Sequence, residues 1–301
     1  QHVPGNTLLT HDDAHLVAAL RELRCEPVLV DWERAAPAEL KGGITLIRSP
    51  WNYHRKRAAF ALWLEAAARA RIMLLNPASI CLRNMSKQYL LDLSAAGVPT
   101  IPTSRIDYST LGSLNRAAPP SASGELVIKP LIGASGEHTY KLSAQAPRAP
   151  VEMIEAFKPG DAFLLQPYLA EIKTGGEISL VFLGGRYSHA VLKRAAPNEF
   201  RVQVEWGGSV ELFNPSTDII ASAARALAVL GRPGGGAASP FDGRSAPGGG
   251  AASPFDGRSA PGEEIAYGRV DGVVVGGAFL VMEVELIEPE LFFGYSPEGT
   301  R

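Results

Sequence analysis

The sequence has few cysteines and no long apolar run. Its two cysteines, Cys25 and Cys81, show no CxxC or metal-ligand spacing, so a disulfide framework is not expected. No uninterrupted apolar stretch is long enough to span a bilayer, and the first residues lack the basic and apolar segments of a signal peptide. We therefore expect a cytoplasmic protein with no membrane partner. Because the sequence has no initiator methionine, we also expect that its start is trimmed or misannotated.

The sequence also lacks an excess of either charge. Its 29 Lys and Arg residues nearly balance 31 Asp and Glu residues, giving a net charge of −2 and a pI of about 6.4. This composition provides no basic field for nucleic acid. With 301 residues, of which 46% are hydrophobic, the chain can form one large or two to three small globular domains.

Helix and strand patterns alternate in the N-terminal third of the chain. The apolar spacing predicts two helices, Ala14–Leu23 and Ala58–Ala70, with His11, Asp12 and Asp13 as candidate caps of the first. Short β-rich runs predict three strands, Glu26–Val30, Ile44–Ile47 and Ile72–Leu75. This alternation favours a small parallel sheet. A Rossmann dehydrogenase is disfavoured because no glycine fingerprint follows a strand.

From Ser86 onward the pattern is richer in strands. Two further helices are predicted, Ser86–Ala95 and Asp218–Leu230. The predicted strands are Leu126–Lys129, His138–Leu142, Phe163–Gln166, Ile178–Leu183, Tyr187–Lys193, Arg269–Val275 and Phe279–Ile287. This part of the chain is therefore expected to be an α+β unit with antiparallel sheets.

A tandem repeat interrupts this second part. Gly234–Pro247 recurs without change at Gly248–Pro261, and both copies consist mainly of Gly, Ala, Ser and Pro. Fourteen residues are too few for a solenoid repeat, and this composition cannot bury enough surface to become ordered. We expect a disordered insert at residues 232–263, and a binding role for it is the alternative.

Three acids lie on the predicted final hairpin. Glu283 and Glu285 share a strand face because they are two residues apart. A two-residue Gly-Gly loop pairs Asp271 with Met282, whereas a three-residue loop or an equivalent bulge places Asp271 opposite Glu283. Only the second register clusters three carboxylates, which suit Mg²⁺, and Glu288 then faces the other side if the strand continues. The alternative is a solvated hairpin face.

Several basic and glycine residues suggest phosphate binding. Lys129 ends a strand just before the loop Gly133–Gly136, whose backbone amides could cover a polyphosphate, and Lys87 lies at a helix start. A second basic group includes Lys193 and Arg201, upstream of the acidic hairpin. A glycine turn between strands and ordinary solvated surface are the alternative interpretations.

Five segments, taken in order, resemble those of the ATP-grasp superfamily, most closely the prokaryotic glutathione synthetase group. They are LIRSPWNYH with LLNPASICLRNMSKQYLLDL, LVIKPLIGASG, LLQPYLAEIKTGGEISLVFLGGRYSHAVLKR, NEFRVQVEWGG, and RVDGVV with LVMEVELIEP. The resemblance runs from about Leu46 to Glu290, excluding the repeat. Within the group, the chain is most similar to stand-alone ligases of the O-ureidoserine cyclo-ligase type, which close the cycloserine ring.

The resemblance implies a role for individual residues. The implied ATP-binding residues are Lys87, Lys129, Gly133, Ser135, Gly136, Gln166, Tyr168, Leu169 and, at the ribose, Glu171. The implied metal ligands are Asp271, Glu283 and Glu285. The implied catalytic residues are Arg201 and Lys193, and Arg48 is implied as a substrate contact.

The resemblance also implies a fold and a reaction. The expected fold is an α/β (α+β) ATP-grasp fold with a small parallel domain at 1–85, an ATP lid at 86–165 and a catalytic part at 166–301. The expected activity is an ATP- and Mg²⁺-dependent carboxylate–amine ligase or cyclo-ligase on an amino-acid derivative, with Mn²⁺ as a substitute metal and antibiotic biosynthesis as a setting. A catalytically degenerate ATP-binding protein is the alternative, and a homodimer is left open.

Overall fold

The structure is a computed structural model, and it describes residues 10–197, 199–232 and 265–295. The tandem repeat lies outside these residues. Within them, no helix is both long enough and apolar enough to cross a bilayer.

The N-terminal part contains one short parallel strand pair and its helices. The elements are α1 (His11–Glu22), β1 (Ile44–Leu46), α2 (Arg57–Arg69), β2 (Met73–Leu75) and α3 (Ala78–Asn84). Strands β1 and β2 are paired in parallel, as predicted. Phe60 and Leu64 on α2 pack against Leu74 on β2 in a separate hydrophobic cluster. The 3.6-residue apolar spacing of α2 therefore forms the core of this part.

Two predictions for this part are wrong. Residues Glu26–Val30 form no strand, and Val28 remains 76% exposed, because the run finds no neighbouring strand with which to pair. The cap of α1 is Thr10, whose hydroxyl accepts a hydrogen bond of 2.9 Å from the backbone of Asp13. Thr10 is the last residue before the helix, which is where a cap must lie.

The middle part is a four-stranded antiparallel sheet with short helices. Its elements are α4 (Tyr89–Ala95), β3 (Ser104–Asp107), β4 (Glu125–Pro130), β5 (Tyr140–Ser143), α5 (Val151–Ala156) and β6 (Ala162–Pro167). The strand order is β3-β6-β4-β5. Ile128, Met153 and Phe163 are fully buried in the core on one face of this sheet. The predicted helix Ser86–Ala95 begins later than expected, at Tyr89.

The C-terminal part is a five-stranded antiparallel sheet. Its elements are α6 (Glu171–Gly175), β7 (Glu177–Leu183), β8 (Arg186–Arg194), β9 (Ser209–Phe213), α7 (Thr217–Leu230), β10 (Tyr267–Val275) and β11 (Ala278–Glu285). The strand order is β11-β10-β7-β8-β9. Helix α7 is capped by the Ser216 hydroxyl and packs Ala226 into the same core as Leu180 and Val270.

The predicted fold class is confirmed. The chain combines a parallel strand pair with two antiparallel sheets and helices. Strand β6 runs across the predicted boundary between residues 165 and 166. The division into 1–85, 86–165 and 166–301 stays a prediction.

Candidate active site

One cavity collects residues from all three parts of the chain. The turn after β1 contributes Tyr53, strand β4 contributes Lys129, and strands β10 and β11 contribute Asp271 and Glu283. Fourteen residues were singled out in the sequence as catalytic, ATP-binding or metal-binding, and all of them except Glu171 line this cavity. The folding of distant segments onto one cavity is consistent with a shared function for these residues.

The final hairpin has the register that clusters the acids. Val275 pairs with Ala278, so the loop is the two-residue Gly-Gly turn, with φ of 57° and 86° at its two glycines. A bulge between Asp271 and Gly272 then shifts the register, and Asp271 lies opposite Glu283. The predicted bulge is therefore confirmed, and it reverses the strand face that the turn alone would have set.

Gly272 is the residue that permits this bulge. A Cβ atom on Gly272 would lie only 2.4 Å from the ring of Phe279. Because no side chain fits there, the two strands can approach closely at the bulge. The glycine that follows the acidic residue thus helps to place Asp271 in the cavity.

The buried acid Asp271 is held by cations. Arg269 donates to it at 2.9 Å, Ser179 donates at 2.5 Å, and the Lys193 ammonium lies 3.7 Å away. Burial alone would raise the pKa of Asp271, but Arg269 and Lys193 outweigh it and lower this pKa to about 2. Asp271 is therefore an anion at neutral pH.

The two glutamates of the hairpin differ in charge state. Glu283 pairs with Lys87 at 3.1 Å, and the attraction of Lys87 and Lys129 lowers its pKa although burial opposes this. Glu285 contacts Arg269, but burial raises the pKa of Glu285 to about 7 against that attraction. Arg269 therefore stabilises the charge of Glu285 less than Lys87 and Lys129 stabilise that of Glu283.

The carboxylates suit a divalent cation by their chemistry. Hard oxygen ligands are the ones that Mg²⁺ prefers. Eight carboxylates line the cavity against five Lys and Arg side chains, so added positive charge would be favourable. In the described parts of the chain, no three His, Cys, Asp or Glu side chains are arranged to hold a metal ion. Asp271, Glu283 and Glu285 each contact a basic side chain instead, which a metal would have to displace.

Three lysines reach the cavity, and they differ in their partners. Lys87 donates to the carbonyl of Gly133 at 2.5 Å, besides pairing with Glu283. Lys193 pairs with Glu177 at 2.5 Å, and although burial opposes it, the attraction of Asp271 and Glu177 raises the pKa of Lys193. Glu177 lies directly opposite Lys193 in the sheet register.

Lys129 has no such partner. Among the described residues, none forms a hydrogen bond or an ion pair with its ammonium group. Burial lowers the pKa of Lys129 more than the attraction of Glu283 raises it, and Lys87 adds repulsion. A buried ammonium group without a partner is available for an anionic ligand.

The glycine loop is fixed from three sides. Its residues Ser135 and Gly136 have φ of 52° and 67°. The Trp206 indole donates to the Ser135 carbonyl at 3.3 Å, and Lys87 holds the start of the loop. At the end of the loop, Glu137 contacts His54 at 2.8 Å and Arg55 at 2.8 Å, both in the N-terminal part. The loop thus connects all three parts of the chain over the cavity.

Arg201 lines the cavity next to this loop. Its guanidinium pairs with Glu199 at 2.7 Å and lies 3.3 Å from the centre of the Trp206 ring. Hydrogen bonds from Arg201 lower the pKa of Glu199 to about 2. The cation is therefore oriented before any ligand binds.

The predicted adenine contacts follow strand β6. Gln166 donates from its amide to the Thr103 hydroxyl at 2.9 Å, and Tyr168 is 4% exposed with a buried hydroxyl that lacks a partner among the described residues. Leu169 completes the group at the cavity wall. Glu171 begins α6 and does not line the cavity, so its implied ribose contact stays a prediction.

Arg48 lies outside the cavity. It pairs with Asp12 at 3.0 Å and Asp13 at 2.9 Å, and its guanidinium lies over the Tyr267 ring. Asp12 in turn accepts hydrogen bonds from the backbone of Leu291 and Phe293. These contacts tie α1 to the C-terminal segment, so the geometry gives Arg48 a structural role, and its implied substrate contact stays a prediction.

The sequence interpretation missed several cavity residues. Arg269 could have been found, because it lies two residues before Asp271 and shares its strand face. Glu177 became recognisable only from the pairing of β7 with β8. The expectation for Glu288 required a strand that continues to it, but β11 ends at Glu285, and Glu288 also lines the cavity.

Comparisons with known proteins agree with this geometry. Residues 115–231 match the family described as "Prokaryotic glutathione synthetase, ATP-grasp domain", and residues 2–76 match "D-cycloserine synthetase DcsG, N-terminal domain". The crystal structure of D-cycloserine synthetase DcsG superposes with a TM-score of 0.69 and 26% identity, covering 96% of this chain and 91% of that one. The chain therefore contains an ATP-grasp domain. The resemblance inferred from the sequence is confirmed.

Other ATP-grasp proteins show the same relationship. The cycloserine biosynthesis protein DcsG of Streptomyces lavendulae is 30% identical over 193 residues, 62% of this chain and 64% of that protein. The glutathione synthetase of Parasynechococcus marenigrum is 30% identical over 169 residues, 54% of this chain and 52% of that protein. The ATP-grasp ligase PsnB with Mg and ADP, at 15% identity and a TM-score of 0.56, shares the fold. In sequence, the chain spans less than two thirds of these curated relatives.

Proposed function

We propose that the protein is an ATP- and Mg²⁺-dependent ligase that activates a substrate carboxylate as an acyl phosphate and transfers the acyl group to a nitrogen nucleophile. The observation that carries the proposal is that phosphate-binding cations and metal-binding carboxylates line one cavity. Lys87 and Lys129 supply the cations, and Asp271, Glu283 and Glu285 of the final hairpin supply the carboxylates. A nucleotide polyphosphate with a divalent cation needs both kinds of group.

In this proposal, the lid residues bind the nucleotide. Lys129 offers its unpartnered ammonium to the phosphates, and Lys87 is already held against the carbonyl of Gly133. Ser135 and Gly136 lie in the loop that Trp206 contacts and that Glu137 ties to Arg55, and we assign to this loop the exclusion of water during the reaction. Gln166 and Tyr168 offer polar groups to the base.

The hairpin residues would hold the metal. Asp271, Glu283 and Glu285 are the ligands that fit best, because they share one strand face and supply hard oxygen atoms. When bound, Mg²⁺ supplies positive charge that balances the phosphates. Arg269 and Lys193 keep the carboxylate Asp271 ionised at neutral pH, and thus ready for this task.

The reaction then proceeds in two balanced steps. A carboxylate oxygen of the substrate attacks the γ-phosphorus, the bond from phosphorus to the β-bridging oxygen breaks, and ADP leaves. The nitrogen nucleophile attacks the acyl carbon, loses its proton, and the bond from carbon to the phosphate oxygen breaks. Arg201 and Lys193 are the cations that we assign to the phosphate charge in both steps.

The kinship with DcsG supports a narrower version of the proposal. One relative is named a cycloserine biosynthesis protein and one structure a D-cycloserine synthetase. We therefore propose an amino-acid derivative as substrate, an intramolecular ligation, and a place in antibiotic biosynthesis. We also propose the cytoplasmic location that the sequence predicts.

Release of ADP tests the proposal. Purified protein with Mg-ATP is incubated with a panel of amino acids and their ureido and hydroxamate derivatives, and ADP and phosphate are quantified. We expect ADP release to require one panel member and Mg²⁺. ATP binding without ADP release across the panel would instead favour a nucleotide-binding protein without turnover.

A further inference from the structure

Glu288 is a cavity acid without an assigned task. It lies three residues beyond the end of β11 and lines the cavity, and the nearby hydroxyl of Tyr53 favours its ionised form. In the described part of the chain, no basic side chain forms an ion pair with it. Lys87 attracts its carboxylate, but the Lys87 ammonium is already engaged by Glu283 and by the Gly133 carbonyl. Glu288 therefore lacks a cation of its own.

The neighbours of Glu288 add to its need for a cation. Glu285 and Glu283 repel its charge, and Arg269 is already shared between Asp271 and Glu285. Burial, followed by the repulsion of Glu285, raises the pKa of Glu288 to about 8. An acid in such surroundings is satisfied either by a proton or by a cationic ligand.

Two aromatic residues of the N-terminal part line the same cavity as Glu288, and Tyr53 interacts with its carboxylate. Tyr53 is buried with 5% exposure, whereas Trp51 is 52% exposed, and both line the cavity. Aromatic faces attract organic cations, and a carboxylate next to them supplies a hydrogen-bond acceptor. A metal ion would need further oxygen ligands in place of these rings. The surroundings therefore favour an organic ammonium group over a second metal.

We propose that Glu288, with the Tyr53 hydroxyl and the Trp51 ring, binds the ammonium group of the carboxylate substrate and thereby selects α-amino acid derivatives. This inference rests on the proposed function, since it names the part of the substrate that the cavity recognises. The proposed function assigns Lys129 and the glycine loop to the nucleotide, and Glu288 and Tyr53 line the same cavity without a role in that assignment.

The test compares two probes that differ only in the amino group. O-Ureidoserine, in both enantiomers, and its analogue without the amino group are titrated by calorimetry in the presence of Mg²⁺ and a non-hydrolysable ATP analogue. The proteins are the wild type, Glu288→Gln, Tyr53→Phe and the control Glu211→Gln, whose side chain is 61% exposed and ion-paired with Arg194. ADP release is measured separately.

We expect Glu288→Gln to weaken binding of one enantiomer of O-ureidoserine about ten- to a hundredfold, the range of a charge-assisted hydrogen bond. Tyr53→Phe should weaken the same binding less. The analogue without the amino group and the ATP analogue should bind Glu288→Gln as they bind the wild type, and Glu211→Gln should change nothing.

Each other outcome is decisive. Equal weakening of both probes would show that Glu288 only supports the cavity wall, and a change confined to Mg²⁺-dependent nucleotide binding would show a metal ligand; either overturns the inference. Failure of the wild type to bind O-ureidoserine more tightly than its analogue also overturns it. If the wild type discriminates between the probes but releases no ADP with any panel member, the proposed function fails and the ammonium site stands.

Discussion

Replacing Lys129 with methionine should change stability and ATP binding in opposite directions. The side chain of Lys129 is half-buried, lacks an ion-pair partner among the described residues, and is repelled by Lys87. Replacing this partly desolvated cation with an apolar side chain of similar length removes a desolvation penalty. We expect the ligand-free variant to be more stable by about 1 kcal/mol, which corresponds to a rise in Tm of about 2–4 °C.

The effect on ATP is the reverse. Loss of one charge-assisted hydrogen bond to phosphate should weaken ATP binding about 10- to 100-fold. At an ATP concentration that stabilises the wild type by about 2.7 kcal/mol, a hundredfold weaker variant would gain only about 0.4 kcal/mol. ADP release by Lys129→Met should be abolished.

Thermal unfolding with and without Mg-ATP measures both effects, with the exposed Lys173→Met as the control. Because the pKa of Lys129 is lowered in the folded state, the folded wild type binds fewer protons than the unfolded chain below the ordinary lysine value of 10.5. The stability of the wild type therefore rises as the pH rises toward 10.5. The difference in stability between ligand-free Lys129→Met and the wild type becomes smaller over the same range. A ligand-free variant that melts below the wild type, or that keeps the full ATP-induced shift, would refute this reasoning.

Three further predictions concern the hairpin and the repeat. Glu283→Gln should lower Mg²⁺-dependent ADP release about a hundredfold, whereas Glu211→Gln should not; equal effects would remove the metal role of the hairpin. Arg269→Met should destabilise the protein by about 3–5 kcal/mol in denaturant titrations because it removes the cation that the buried Asp271 and the half-buried Glu285 share, whereas the exposed Arg194→Met should cost less than about 1 kcal/mol. Deleting Gly248–Pro261 should change stability by only about 0.5 kcal/mol and leave ADP release intact, and loss of folding would show that the repeat is structural.

The final hairpin shows which structural features the sequence predicts and which it does not. The two strands and their three acids were predictable from alternation and the glycine pair. The register was not, because the turn alone separates Asp271 from Glu283, and the bulge that joins them depends on Phe279 packing over Gly272. Local sequence patterns determine where the two strands lie, but tertiary packing determines the strand face on which Asp271 lies.

In other parts of the chain, the limits of prediction from sequence have similar causes. Helices α2 and α7 were predictable because their apolar spacing is regular over 13 and 14 residues. The run at Glu26–Val30 has β propensity but no partner strand, so it forms no strand and its apolar side chains stay exposed. Glu288 escaped prediction because the strand ends three residues earlier, and Trp206 and Glu137 matter only through contacts across the cavity.

Transfer of oxygen from substrate to phosphate tests the central claim most directly. The substrate that elicits ADP release is labelled with ¹⁸O in its carboxylate and incubated with Mg-ATP, and the released phosphate is analysed by mass spectrometry. If the carboxylate attacks the γ-phosphorus, one ¹⁸O atom from the substrate must appear in the inorganic phosphate. Unlabelled phosphate, or label in AMP, would contradict an acyl-phosphate ligase.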